Sequence, residues 1–551
     1  MSEMLTAATT TSPALQYTGS TPTSKWFGSS EALHFSTVGV RRRLWDFSRT
    51  AYLIRDAQGR VGIADRLGTD RKEDLQSHEL LATLPPIDPA QLGDPSFRQD
   101  YGLRYNYMAG AMANGIASEE LVIALGRAGM LASFGAGGLV SQRIERAIDR
   151  IQAELPNGPY AFNLIHSPNE VALERDATAL FLRKGIKVIE ASAFMDLTPF
   201  VVYYRVAGLS RNPDGSVRIG NRVIAKVSRL PVAEKFMSPA PEALLRQLME
   251  EGKITAEQAQ LAASVPMADD ITVEADSGGH TDNRSLVCLL PSMLTLRDRV
   301  QATHQYAQPV RVGASGGIST PESVWSAYAM GAAYVLTGSI NQACRESGSS
   351  DHVRRVLAQA GMADIMMAPA SDMFELGVKL QVLKKGTLFG LRAQKLYDLY
   401  LAYDGIEALP ERERANLEKT IFRDSLDNIW RACVEFFEAR DPEQISRALD
   451  QPKRRMALIF RWYLGLSSSW ANRGEKGREL DYQIWCGPAM GAFNEWARGT
   501  HLENWENRYV AEVAQQLLMG ACYLQRLQYL EMHGIRSAAN VRRSFRESSQ
   551  I

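Results

Sequence analysis

The ten residues ADSGGHTDNR (275–284) combine the residue types best suited to chemistry in this chain of 551 residues. They follow DDITVE (269–274), a short apolar stretch between acidic ends that predicts a buried strand. The pair Gly278-Gly279 lets the main chain pass close to a flat or bulky group. His280, directly beyond the pair, can exchange protons near neutral pH. For an isolated GGH, a tight turn that carries an exposed histidine would be the favoured interpretation. A matching glycine pair after the next strand favours a ligand site.

This loop belongs to a periodic stretch, from about Tyr101 to Ala370, in which apolar strands alternate with amphipathic helices. That alternation is typical of parallel β/α units. About eight such units within roughly 250 residues predict an α/β protein with a TIM (β/α)8 barrel. Strands are expected before Met108 and at 130–134, 160–165, 187–192, 222–228, 269–274, 309–314 and 332–338.

The remaining chain predicts four further segments. Residues 1–25 read as a disordered tail, and 26–99 as a small N-terminal β-containing subdomain with a hairpin formed by 51–54 and 61–64. The barrel is expected over 100–370, with a partly helical insertion at 208–268 that is longer than a β/α connection needs. Residues 371–551 show a helical pattern and predict a C-terminal all-α domain.

In a TIM barrel the functional groups lie on the loops after the C-terminal ends of the strands. Ala109 and Gly110 follow the first strand, and their small size would admit a planar ring. Asn163, on the third strand, carries an amide that can donate and accept hydrogen bonds. Lys226, on the fifth, would point into the barrel mouth and need an anionic partner such as a phosphate or a reduced flavin N1. A lysine at an exposed strand end is the other interpretation.

Two small-residue pairs follow the last two strands, Gly316-Gly317 and Gly338-Ser339. The loops after strands seven and eight form the phosphate site of many such barrels, where free backbone N–H groups and a hydroxyl bind a dianion. Tight turns are the alternative reading of these glycines. FGAGGL (134–139) lacks the third glycine of a dinucleotide fingerprint, so a nicotinamide is expected to share the main pocket.

Composition and cysteine spacing argue against several other classes of protein. The 62 basic and 62 acidic residues cancel, so no global field favours nucleic acid or an acidic membrane. Five widely spaced cysteines argue against a disulfide framework and against a cysteine zinc site, and no metal is expected. The N-terminal residues show no signal-peptide pattern, and the uncharged stretch 323–344 is broken at Gly331. We therefore expect a cytoplasmic protein.

The stretches MAGAMANGIAS, LASFGAGGL, FNLI, ADSGGHTDNR and VGASGGISTPESVWSAYAMGAAYVLTGS resemble the nitronate monooxygenase and FMN-dependent enoyl-ACP reductase II superfamily. With the insertion and WCGPAMGAFNEW in the helical part, the chain is more similar to the PfaD-type enoyl reductases. The likeness starts near Tyr101. It departs from the frequent Glu-Ala-Gly-Gly-His form at Asp276 and Ser277, which bears on the hydrogen bonds around His280.

The resemblance implies bound FMN and a role for each candidate residue. Ala109 and Gly110 match the backbone against the flavin ring, and Asn163 and Lys226 match polar flavin contacts. His280 matches the active-site histidine. The backbone beside the cofactor is matched by Ser277, Gly278 and Gly279. The phosphate site is matched by Gly316, Gly317, Gly338 and Ser339.

The implied activity is that of a trans-acting enoyl reductase. NADPH would reduce FMN, and a 2-enoyl thioester on an acyl carrier protein domain of a polyketide or polyunsaturated fatty acid synthase would then receive hydride at Cβ. The proton at Cα would come from His280 or an ordered water. A nitronate monooxygenase and a non-catalytic docking protein are the alternatives. The helical domain could cover the pocket, contact the carrier protein or form a homodimer interface.

Overall fold

The structure is a computed structural model that describes residues 14–19, 24–67, 76–166, 168, 171–438 and 441–542. The chain forms two compact units. The first comprises Met1–Leu92, Thr320–Ser326 and Ala514–Ile551, and the second comprises Gly93–Ser319 and Ala327–Val513.

The first unit contains a five-stranded antiparallel sheet and the helix Thr37–Trp45. The predicted hairpin is present, since Ala51–Arg55 pairs antiparallel with Val61–Ala64. Arg526, in the helix Val510–Met532, is buried and donates to the carbonyl oxygens of Leu44 and Asp46. In order across the sheet, the strands are Lys25–Gly28, Gln76–Leu84, Ala51–Arg55, Val61–Ala64 and Leu33–His34.

Part of the tail predicted to be disordered is ordered. Leu15–Tyr17 forms a strand that pairs antiparallel with Ile535–Ser537, and Leu15 is buried. This corrects the assignment of 1–25 as disordered, because the strand's partner lies more than 500 residues away and gives no local signal. Residues 1–13 and 20–23 of the predicted tail lie outside the described residues.

The second unit is built on the predicted barrel, which is confirmed as a closed ring of eight parallel strands. The register closes where Val335–Thr337 pairs with Tyr107–Ala109. Because all strands run parallel, their C-terminal ends meet at one face, as expected from the sequence. In chain order the strands are Tyr107–Ala109, Leu131–Phe134, Ala161–Ile165, Val188–Ser192, Arg222–Val227, Asp270–Glu274, Arg311–Ser315 and Val335–Thr337.

Several of the helices between and after the strands begin at a capping side chain. Ser118 accepts a hydrogen bond from the Leu121 N–H at the start of the first helix, as predicted. Thr198 caps the fourth helix in the same way through the Val201 N–H. The helices of the barrel region are Glu119–Arg127, Ser141–Glu154, Val171–Arg183, Pro199–Ala207, Leu230–Met237, Glu242–Glu250, Ala256–Ala262, Leu286–His304, Pro321–Ala329, Ser339–Gln342 and Asp351–Ala358.

The predicted insertion at 208–268 is two separate pieces. A short hairpin of Leu209–Arg211 and Val217–Ile219 precedes the fifth barrel strand. The helices Glu242–Glu250 and Ala256–Ala262 follow it. The fifth strand itself, Arg222–Val227, interrupts the predicted range and belongs to the barrel. The barrel strand is therefore flanked by additions on both sides.

Charged residues close the N-terminal end of the barrel. Arg311, at the start of the seventh strand, is buried and bonds the carboxylates of Asp270 and Asp100 at 2.6 Å each. Arg205 pairs with Asp269 at 2.7 Å. A buried charge costs free energy unless it is paired and hydrogen-bonded, as these charges are. The network therefore supports the fold at the end of the barrel opposite the candidate site.

Beyond the barrel the chain is mostly helical, with one exception that matters for the site. Lys379–Leu383 is a strand inside the range predicted to be all-helical. It pairs antiparallel with Ile365–Pro369 and with Gly279–His280. This short strand begins with Lys379 and is followed by Lys384, so its local pattern is weak. The helices that follow are Phe389–Ala402, Glu411–Leu417, Leu426–Glu438, Pro442–Asp450, Pro452–Arg473, Ala489–Ala497 and Val510–Met532.

Across the described part of the chain, no helix combines the length and apolar character needed to cross a membrane. The five cysteines are free thiols, and Cys288 is the exposed one.

Candidate active site

His280 is held by backbone pairing at the C-terminal end of the sixth barrel strand. Gly279 has a φ of +81°, a conformation that glycine adopts without strain. Gly279 and His280 then pair with Gln381 and Leu380 of the returning strand. The imidazole is therefore positioned by a small sheet rather than by a free turn.

The His280 ring contacts one carboxylate. Its Nε2 lies 3.1 Å from Oδ1 of Asp372, and the two side chains are 39% and 48% exposed. Partial burial alone would lower the pKa of His280, but the hydrogen bond and charge of Asp372 outweigh it and raise the pKa above the ordinary value. The arrangement favours a protonated imidazole near neutral pH, as a general acid requires.

Gln381 fixes the loop that precedes His280. Its side-chain amide donates to Oδ1 of Asp276 at 2.9 Å and to the carbonyl oxygen of Ser277 at 2.8 Å. Asn283 donates to the same Asp276 oxygen at 2.9 Å. The two positions at which this chain departs from the Glu-Ala form are thus both bound by Gln381, a residue about one hundred positions later.

The segment Trp485–Gly487 packs against the same loop through its backbone. A methyl group added at Gly278 would stand 2.8 Å from the Cys486 nitrogen, and one at Gly487 would stand 2.8 Å from the Gly278 nitrogen. Real side chains do not tolerate such distances. The small size of Gly278, which the sequence interpretation assigned to a cofactor, is therefore already required by contact within the chain.

Two carboxylates surround the Lys226 ammonium in the barrel mouth. Nζ lies 3.0 Å from Glu274 and 3.9 Å from Glu190, and the Lys226 side chain is only 15% exposed. Burial alone would lower the pKa of Lys226, but the two carboxylate charges raise it. Burial raises the pKa of Glu190 despite the Lys226 charge. The reading of Lys226 as an exposed strand end is wrong, and its anionic partners are protein side chains.

Asn163 lies close to this group but has little freedom left to donate. It is buried, and its amino group donates to the Glu190 carbonyl oxygen at 3.0 Å and to Ser192 Oγ at 3.1 Å. Only its carbonyl oxygen remains to contact another molecule. The predicted donor role of Asn163 is therefore already filled within the protein.

Ala109 is the last residue of the first strand rather than part of the loop after it, and hydrogen bonds to neighbouring strands fix this strand end and the loop that follows. Ala109 is buried, and the Gly110 N–H donates to the Thr337 carbonyl oxygen at 3.0 Å. A methyl group at Gly110 would lie 2.6 Å from the Leu336 side chain. The next residue, Ala111, donates its N–H to Glu190 at 2.7 Å. The backbone here is thus held in place at the mouth of the barrel.

The two small-residue pairs leave open space where a phosphate was expected. No described atom lies within 4 Å of a methyl group built at Gly317 or Gly338. Gly316 differs, because a methyl there would lie 2.5 Å from the Ala275 backbone. Ser339 Oγ accepts a hydrogen bond from the Gly487 N–H at 3.2 Å, so its hydroxyl hydrogen remains available to donate.

These features fit a flavin mononucleotide in the expected place. Gly317, Gly338 and Ser339 provide space and donors for a phosphate, and Lys226 provides a buried cation. The Ser277 hydroxyl oxygen is buried, with no hydrogen-bond partner among the described residues. A buried hydroxyl without a partner costs free energy that a bound polar group would recover.

Sequence reasoning missed Glu190, Glu274, Asp372, Gln381 and the contact made by Trp485–Gly487. Glu190 had a signal, since a carboxylate within the apolar strand VIEAS needs a partner. Glu274 is the last residue of the sixth strand, and in the sequence it indicates only where an apolar run ends. The other positions lie far along the chain and carry no local pattern.

Comparison with known proteins places this architecture in a family. Residues 102–386 match the nitronate monooxygenase family, which covers the whole barrel. Residues 26–86 match the N-terminal domain of the fatty acid synthase subunit PfaD. Residues 403–482 match the inserted helical domain of [acyl-carrier-protein] S-malonyltransferase. The chain belongs to the nitronate monooxygenase family, and within it to the PfaD type.

Individual relatives agree with this placement. The chain is 54% identical over 452 residues to a polyunsaturated fatty acid synthase component of Thraustochytrium sp., covering 81% of this chain and 30% of that protein. It is 48% identical over 433 residues to the polyketide biosynthesis protein PksE of Bacillus subtilis, covering 78% and 56%. The chain therefore spans less than two thirds of the length of these curated relatives.

A solved structure covers the same region. The enoyl reductase domain of MlnA, from the macrolactin biosynthesis cluster of Bacillus amyloliquefaciens, is 40% identical and superposes with a TM-score of 0.77. The match covers 80% of this chain and 99% of that domain.

Proposed function

We propose that this chain is a trans-acting enoyl-[acyl-carrier-protein] reductase that uses FMN and NADPH. The observation that carries the proposal is the match to nearly the whole MlnA enoyl reductase domain, with His280 and Asp372 paired at the barrel mouth. The synthase relatives support a substrate held as a thioester on a carrier protein. A cytoplasmic location belongs to the same proposal, and five free thiols agree with a reducing compartment.

FMN would be held by the residues around the barrel mouth. When bound, it supplies hydride transfer from NADPH to Cβ of the enoyl thioester. The backbone from Ser277 to Gly279 and the backbone of Ala109 and Gly110 would contact the ring. Lys226 and the Asn163 carbonyl oxygen would contact its polar edge. Gly316, Gly317, Gly338 and Ser339 would hold the phosphate.

His280 would complete the reduction by giving a proton to Cα of the thioester. Nε2 is engaged with Asp372, so the proposal assigns the Nδ1 proton to this transfer. Asp372 positions the ring and stabilises the imidazolium, and the strand pairing of Gly279 and His280 limits its movement. Trp485–Gly487 would help to exclude water from the neighbouring loop.

Mass spectrometry of a crotonyl carrier protein incubated with NADPH tests this function. We expect conversion to the butyryl form, and His280→Ala to slow it roughly 10²- to 10⁴-fold, the usual contribution of a general acid. His304→Ala, at an exposed helix end, is the matched control and should keep the wild-type rate. An unchanged crotonyl carrier with every reductant would contradict the proposal.

A nitronate monooxygenase is the second candidate, because the family match over 102–386 carries that name. Such a monooxygenase would use the same barrel mouth and His280 but would pass electrons to oxygen. Oxygen uptake with a nitronate in the absence of NADPH, without reduction of the crotonyl carrier, would favour it.

A further inference from the structure

An open cavity of about 660 Å³ lies beside the candidate site, between the loops that follow the fifth and sixth barrel strands. Ser228 and Arg229 on one side directly follow the fifth strand. Arg284 and Ser285 on the other lie four and five residues beyond His280. The volume is within the usual range for a bound small molecule or its covalent arm.

One of the two arginines shapes the cavity. Arg229 donates to both carboxylate oxygens of Asp282 at 3.0 Å, and Ser228 donates to one of them at 2.7 Å. The hydrogen bond from Arg229 is the main reason that the pKa of Asp282 falls to about 2. The charge of Arg229 is therefore neutralised, and the ion pair ties the two loops together.

The other arginine supplies the charge left for a ligand. Arg284 is exposed. Its charge contributes to lowering the pKa of Asp282, but Arg229 makes the hydrogen bonds to that carboxylate, which leaves the Arg284 guanidinium able to bind a ligand. Next to it, Ser285 begins the helix Leu286–His304 without its side chain capping the helix. The uncapped N–H groups add to the positive potential at this end of the cavity.

The remaining walls are largely apolar, with hydroxyl groups at intervals. Leu230, Pro231 and Leu289 provide the apolar surface, and Ser292 provides a hydroxyl. Such a lining suits a flexible chain of methylene and amide groups that ends in a single anion. NADPH carries several phosphate charges and would need more than one uncompensated cation.

We propose that this cavity receives the phosphopantetheine arm of the carrier-bound substrate, with Arg284 at its phosphodiester. This inference rests on the proposed function, since the arm delivers the thioester to the mouth beside His280. Free phosphopantetheine thioesters contain the same chemistry and can therefore be used as probes without a carrier protein.

Cys288 gives a readout that does not depend on catalysis. It lines the cavity and is the exposed thiol among the five cysteines. We expect saturating butyryl-phosphopantetheine to slow its alkylation by iodoacetamide at least fivefold. Butyryl-N-acetylcysteamine, which lacks the phosphate, and NADP+ should give little protection at the same concentration. Protection by NADP+ alone would overturn the proposal.

Steady-state kinetics test whether the charge of Arg284 binds the phosphate of the substrate. Arg284→Ala should raise KM for crotonyl-phosphopantetheine about tenfold and leave kcat/KM for crotonyl-N-acetylcysteamine unchanged. Arg175→Ala removes another exposed arginine, from an outer helix, and should change neither quantity. Equal losses with both substrates would overturn the role of Arg284.

The two proposals fail in different ways. If the crotonyl carrier is reduced while phosphopantetheine leaves Cys288 unprotected, the cavity proposal is wrong and the function stands. If Cys288 is protected while NADPH reduces no enoyl thioester, the arm-binding proposal stands and the reductase function fails.

Discussion

Replacing Gln381 with leucine tests whether this side chain holds the loop that carries His280. The substitution removes the two short hydrogen bonds that Gln381 donates, one to the Asp276 carboxylate and one to the Ser277 carbonyl oxygen. It also removes a longer bond of 3.3 Å that Gln381 accepts from Asn283, whose amino group keeps its bond to Asp276. A bond to a charged group contributes about 1.5–3 kcal/mol and a neutral one about 0.5–1.5 kcal/mol. The loop should therefore open with about 2–4.5 kcal/mol less free energy, or roughly 30- to 2,000-fold more often.

Amide hydrogen exchange of residues 276–281 measures this opening directly. Gln394→Leu is the matched control, because Gln394 also donates to an aspartate, Asp398, at 2.8 Å, but on an exposed helix face. Such a pair contributes about 0.2–0.5 kcal/mol, so exchange near it should change less than about threefold. Exchange of 276–281 within threefold of wild type in Gln381→Leu would refute the reasoning.

Three further substitutions probe separate parts of the site. Lys226→Met removes the cation shared by two carboxylates and should destabilise the protein by about 3–5 kcal/mol. Lys184→Met, at the surface between Glu145 and Asp149, should destabilise it much less, because solvent screens exposed ion pairs. Denaturant unfolding compares the two variants. Asp372→Asn removes the charge that raises the pKa of His280. Because the acid form is lost as pH rises through that pKa, the alkaline fall in kcat should move to lower pH, and an unmoved pH profile would contradict the pairing. Gly338→Ala fills open space and should weaken FMN binding about tenfold in a fluorescence titration while leaving unfolding unchanged.

The barrel was predictable because its signals are local. Each strand is a short apolar run followed by a helix, and where a side chain caps the helix, as Ser118 and Thr198 do, it lies directly before the helix that it begins. The loop of His280 was identified for the same reason, since two glycines and a histidine stand together in the sequence.

The partners of those residues could not be predicted in the same way. Asp372 and Gln381 reach the loop only through the strand Lys379–Leu383, whose partners come from distant parts of the chain. Gly278 shows the limit most clearly. Its lack of a side chain was assigned to a ligand, but contact with Cys486 also requires it, and the sequence alone does not distinguish the two causes.

Anaerobic stopped-flow absorbance of the purified protein tests the central claim most directly. We predict that NADPH bleaches a yellow flavin band, and that a crotonyl thioester on a carrier protein then restores it rapidly. A bound flavin that NADPH does not bleach, or a bleached flavin that the enoyl thioester does not reoxidise, would contradict the assignment of this chain as an enoyl reductase.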